Sequence, residues 1–148
     1  MTEILFYSPV DDGAGFAIRL LPKVLASGQR LMLWVNDAAA AQSLNHTLWA
    51  SDPNSFVPHC LADDALAAET PLLIAHPGMD TEHKPLPHHD VVINLADEPP
   101  RVFSRFAKLV ELIGTSDAAK AAGRLRYRYY RDRGYALQHH DLTRQPVT

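Results

Sequence analysis

The chain has one cysteine in 148 residues, Cys60. A lone thiol forms no intrachain disulfide and gives no cysteine-based zinc site, so a reducing cytoplasm is the expected setting. No apolar run approaches the ~20 residues that cross a bilayer. The opening MTEILF has neither a basic region nor an apolar signal core, which also points to the cytoplasm. An excess of positive charge is lacking too: 14 Lys and Arg stand against 17 Asp and Glu, a formal net charge of −3. That excludes a grip on nucleic acid over the whole surface, and any basic patch has to be local.

Catalytic patterns are equally scarce. There is no GxSxG elbow, and Cys60 lies in the apolar context Pro58-His59-Cys60-Leu61, where a buried structural thiol is expected rather than a nucleophile. Eight histidines are present, densest at His88-His89-Asp90 and His139-His140-Asp141, but none has HxxxH or HExxH spacing. Neighbours on a strand point to opposite faces, so these pairs are poor chelates. The turn Gly13-Ala14-Gly15-Phe16-Ala17-Ile18 has two glycines, yet Ile18 stands where a dinucleotide site needs a third small residue. No Lys-Ser or Lys-Thr follows it, as a phosphate loop would require. Asp63-Asp64 and Asp97-Glu98 read as solvated loop charges. No catalytic residue, metal or cofactor is therefore expected.

What is present is an alternation of strands and helices. Residues 4–9 (ILFYSP), 31–35 (LMLWV), 71–75 (PLLIA) and 91–95 (VVINL) are short apolar runs of the kind buried in a parallel sheet. Residues 109–114 (LVELIG) read as a further strand, and 135–137 as a final one before a polar tail. Phe16, Ala17, Leu20, Leu21, Val24 and Leu25 recur at helical spacing ahead of Gly28, although Pro22 interrupts that pattern. Asn36 or Asp37 can cap a second helix to about Trp49, and a short helix follows Pro99-Pro100. Asp117 opens a last long helix that ends near Gly134. With no repeat, low-complexity tract or linker, the expected architecture is one α/β domain over 1–148. It is a three-layer αβα arrangement around a mainly parallel sheet.

The last helix concentrates charge. Lys120, Arg124, Arg126, Arg128, Arg131 and Arg133 are six of the 14 basic residues, interleaved with Tyr127, Tyr129, Tyr130 and Tyr135. Lys120, Arg124 and Arg128 are spaced i, i+4, i+8 and share a face. Guanidinium forks grip phosphate or carboxylate, and tyrosine adds a flat apolar wall. A single-stranded nucleic acid with stacked bases fits that description, as does an acidic peptide ending in an aromatic residue and a free carboxylate. So does a plain solvated basic face with tyrosines turned inward. A second feature, Leu48-Trp49 followed by Phe56-Val57-Pro58, reads as core or as a protein contact, core being favoured on composition.

Three segments together resemble the chi subunit family of bacterial DNA polymerase III: LWASDPNSFVPH (48–59), HHDVVINLADEPP (88–100) and RLRYRYYRDRGYALQHHDL (124–142). The resemblance extends over nearly the whole chain. It implies a nucleotide-binding-like α/β topology without a working nucleotide site, and a non-catalytic accessory role in DNA replication at the nucleoid. It also implies two partners. The psi subunit, itself attached to the clamp loader, would meet Trp49, Phe56, Val57 and Pro58, which turns the preference for core into one for an apolar interface. The acidic C-terminal tail of single-stranded-DNA-binding protein, which ends in phenylalanine, would meet Lys120, Arg124, Tyr127, Arg128, Gly134 and Tyr135. In that assignment Arg124 holds the terminal carboxylate, Lys120 and Arg128 meet acidic residues, and Tyr127 with Tyr135 walls the phenylalanine. Arg128 stands where the family pattern has lysine, and Tyr135 where it has phenylalanine.

Overall fold

In the computed structural model, residues 1–50, 58–81, 84 and 86–143 are described. The order of elements is β1 (Glu3–Ser8), α1 (Gly13–Ala26), β2 (Leu31–Trp34), α2 (Ala38–Ala50), β3 (His59–Leu61), β4 (Leu72–Ala75), β5 (Val91–Asn94), β6 (Lys108–Leu112), α3 (Asp117–Asp132) and β7 (Leu137–Asp141). The strands form one sheet in the order β3-β4-β2-β5-β6-β1-β7, and its pairings are parallel. This is the α/β class expected from the sequence.

The central strands are apolar throughout because both faces of the sheet are covered. All residues of β2, β4 and β5 are buried. Each large side chain so buried contributes about 1.5–3 kcal/mol, which is why continuous LMLW and LLIA runs select this position. On one face, Phe16, Ala17, Leu21 and Val24 of α1 pack over Leu31, Leu33, Val91, Ile93 and Val110. On the other, Tyr130 of α3 and Phe103 join Ile4, Phe6, Met32, Trp34, Val92 and Leu109. Partnered positions in a parallel pair share a face, and Phe6 is opposite His139 in the β1–β7 register. His139 and Leu137 therefore lie on the α3 side.

The expected first helix runs through Pro22, and the short helix expected after Pro100 is a single 3-10 turn, Phe103–Arg105. Two local outcomes differ from the sequence reading. The strand β3 was unforeseen: three residues at a sheet edge carry too short a pattern to read. The last strand starts at Leu137, not at Tyr135, and continues through Gln138, His139 and His140. An edge strand needs no apolar alternation, so its polar sequence looked like a tail.

Candidate functional site

Two features seat α3. Ser116 caps its N-terminus, accepting from the Ala119 amide at 3.0 Å. Gly123 faces Ile113 so closely that a Cβ there would fall 2.9 Å from the Ile113 side chain. The helix ends where Gly134 takes φ +84°, a left-handed conformation suited to glycine.

The helix has three faces. Gly123, Arg126 and Tyr130 point into the molecule. Lys120, Arg124, Tyr127 and Arg128 form one exposed flank, on the side of β1 and β7: the Tyr127 ring, 38% exposed, rests on Phe6 with ring centroids 5.2 Å apart. Among the described residues, no carboxylate pairs with Lys120, Arg124 or Arg128. The opposite flank carries Leu125 and Tyr129, and Tyr129 lies against Phe103. Tyr135, past the helix, also packs on Phe103, at 5.2 Å. Tyr127 and Tyr135, expected to face one pocket, thus have different ring partners. Lys120, Arg124, Tyr127 and Arg128 are brought together, while Gly134 and Tyr135 lie at the helix end.

Arg126 does not belong to the basic patch in which the sequence placed it. It is 6% exposed, and its Nε donates to Oε1 of Glu111 on β6 at 2.9 Å. Its other nitrogens donate to the carbonyls of Asp97 and Leu112. Glu111, with no exposed surface, also accepts from the Asn94 amide at 3.0 Å and from the Tyr130 hydroxyl. Burial raises the Glu111 carboxyl above its ordinary range, partly offset by the Arg126 charge and these donors. Burial and the neighbouring Glu111 charge push the Tyr130 hydroxyl far upward, so it stays a donor. This network ties α3 to β5 and β6. The signal in the sequence was the glutamate inside the apolar run LVELI, which needs a buried partner.

At the β1–α1 turn, where a nucleotide phosphate would sit on a helix N-terminus, the chain supplies its own anion. The Asp12 carboxylate accepts from the Gly15 amide at 2.9 Å. Asp11 accepts from the amide and hydroxyl of Thr115, each at 2.8 Å, and the amide most of all holds its carboxyl below the ordinary range. Two carboxylates at this crevice repel a phosphate, a feature separate from the bulky Ile18 that breaks the glycine pattern.

The second expected surface begins at the end of α2. Trp49 is 48% exposed, and its ring lies 4.4 Å from that of His59 in β3. Pro58 is exposed beside it. Phe56 and Val57 lie outside the described residues.

Comparison with known proteins places the molecule. Residues 1–138 match the family model described as DNA polymerase III chi subunit, HolC. The chain is 33% identical over 148 residues to the DNA polymerase III subunit chi of Pseudomonas aeruginosa, covering 97% of this chain and 99% of that one. It is similar to the proteins of that name from Haemophilus influenzae (31%, 82% of this chain and 81% of that one) and Escherichia coli (29%, 85% and 86%). Its fold is similar to the C-terminal domain of the DEAD-box protein Dbp5, with TM-score 0.55 at 10% identity, covering 96% of this chain and 91% of that one. The chain belongs to the DNA polymerase III chi subunit family, whose members are accessory to DNA replication.

Proposed function

We propose that this chain is a non-catalytic adaptor of the DNA polymerase III holoenzyme, joining the clamp loader, through psi, to the acidic tail of single-stranded-DNA-binding protein. The observation that carries the reading is the exposed flank of α3, where Lys120, Arg124 and Arg128 surround the half-open Tyr127 ring. Cations at this spacing suit a run of carboxylates, and the aromatic wall suits a terminal phenylalanine. Tethering of this kind raises the local concentration of the clamp loader at primers without chemistry.

A direct single-stranded nucleic-acid module is less well supported. Base stacking needs several open rings in series. Tyr130 is buried, Tyr135 packs on Phe103, and the Arg133 guanidinium lies 3.4 Å over Tyr129. Only Tyr127 of these four tyrosines offers a ring on the basic flank.

The test is fluorescence anisotropy with an acidic peptide ending in Pro-Phe and a free carboxylate. Wild type is expected to bind saturably and more weakly as salt rises. Arg124→Ala, or amidation of the peptide, is expected to weaken binding at least roughly tenfold, the loss of one charge-assisted hydrogen bond of about 1.5–3 kcal/mol. Tight binding of an oligonucleotide with no binding of the peptide would favour the nucleic-acid reading instead.

The psi contact is tested separately. Trp49 is half-exposed, so Trp49→Ala costs the fold little, yet as an interface anchor it is worth about 2 kcal/mol or more, roughly thirtyfold in affinity. Unchanged affinity for psi in titration calorimetry would remove Trp49 from that interface.

A further inference from the structure

The two edges of the sheet are not alike. One edge strand, β3, has three residues and is preceded by the exposed Pro58, a short and poorly extendable edge. The other, β7, has five residues, LQHHD, with neither proline nor lysine to discourage pairing. Among the described residues it pairs with β1 alone and ends the sheet. The amide of Leu142 donates to the Ser8 carbonyl at 2.8 Å, so the even-numbered residues turn their backbone groups to β1. Backbone direction alternates along a strand, and the N–H and C=O groups of Leu137 and His139 therefore face the open side.

This open edge lies directly beside the basic flank of α3. Phe6, the register partner of His139, carries the Tyr127 ring. Lys120, Arg124 and Arg128 share the helix flank that carries Tyr127, so they face the β1 and β7 side of the sheet. We infer that β7 and this flank form one binding trough, in which an extended acidic peptide adds to the sheet edge and turns its carboxylates toward the helix. The occupant follows from charge: a main-chain ladder accepts any extended sequence, and the cations above it select an acidic one. The inference rests on the acidic-tail reading and adds to it the backbone mode of binding. It assigns a role to Leu137 and His139, which lie in the resembling segment without an assigned function.

His139→Pro removes the outward amide and leaves the β1 ladder intact, since that amide does not face β1. His139→Ala removes the imidazole, including its contact of 2.6 Å with the Ser8 hydroxyl, and keeps the amide. In the same anisotropy assay, His139→Pro is expected to weaken the acidic Pro-Phe peptide by roughly tenfold and His139→Ala by less than about threefold. A scan of the peptide by single N-methylation needs no variant of the protein. Losses are expected at alternate peptide residues, with the intervening positions unaffected. Losses without that alternation, together with full sensitivity to Arg124→Ala, would overturn the strand addition and leave the peptide on the helix flank alone. No binding of the unmodified peptide would instead remove the adaptor reading, and the trough with it.

Discussion

Glu111→Gln is expected to melt roughly 10 °C below the wild type in calorimetry, because it strands a charge that has no means of neutralising itself. Arg126 is 6% exposed, and Glu111 is its only anionic partner among the described residues. Breaking a buried pair from one side costs about 3–5 kcal/mol, and in a chain of this size each kcal/mol moves the midpoint by about 2–4 °C. The glutamine oxygen can still accept from Asn94 and Tyr130, but its NH2 then faces the Arg126 Nε–H, donor against donor, so the loss contains that hydrogen bond as well as the charge.

The reverse substitution behaves differently. In Arg126→Met the glutamate is left alone, but burial already raises its carboxyl, and it takes up a proton. The folded state of that variant binds more protons than the unfolded one. Its extra stability is full below the unfolded pKa of about 4.3 and is lost as pH rises through the folded value. Urea midpoints of Arg126→Met should therefore climb relative to wild type as the pH is lowered from 7. Glu111→Gln should show no such gain. Because Arg126 points to the core, Arg126→Met should bind the acidic peptide within about threefold of wild type, whereas Arg124→Ala, two residues away, should not. An equal loss in both would mean that the network, not the exposed flank, supplies the affinity.

That contrast marks where sequence ceases to be informative. The strands β2, β4 and β5 were legible because burial on both faces leaves a continuous apolar run, and α3 because its ends are marked by Asp117 and Gly134. The i, i+4, i+8 spacing brought Lys120, Arg124 and Arg128 to one flank. What spacing alone did not give is which of six cations turns inward: Arg126 sits between two exposed arginines and looks like them. Its direction is set by Glu111, fifteen residues earlier on a neighbouring element. The edge strand β7 was misplaced for a related reason. Its residues Gln138, His139 and His140 face solvent in part, so no hydrophobic alternation marks them, and only the pairing with β1 defines the element.

A buried histidine gives the molecule an acid limit of its own. His88 is buried at the entry to β5, edge-on to the Phe106 ring at 6.0 Å, and its Nδ1 accepts from the Asp90 amide at 3.1 Å. Burial, aided by the Arg30 charge, pushes its pKa down to about 4 against the opposing pull of Asp90 and the Leu31 backbone. The unfolded chain titrates this group near 6.5, so between those values it is the unfolded state that binds the extra proton. Stability then rises with pH through this window: it is unaffected above about 6.5 and falls as the pH drops toward 4, by on the order of 3 kcal/mol. Glu111 titrates with the opposite sign, so the informative quantity is the difference between wild type and a variant. His88→Asn keeps an acceptor for the Asp90 amide and does not titrate. It should start lower at pH 7, having lost ring contacts with Phe106, and converge on wild type as the pH approaches 4 in urea denaturation. Parallel curves from pH 7 to pH 4 would show that His88 charges as easily folded as unfolded, and would place the acid sensitivity of the fold elsewhere.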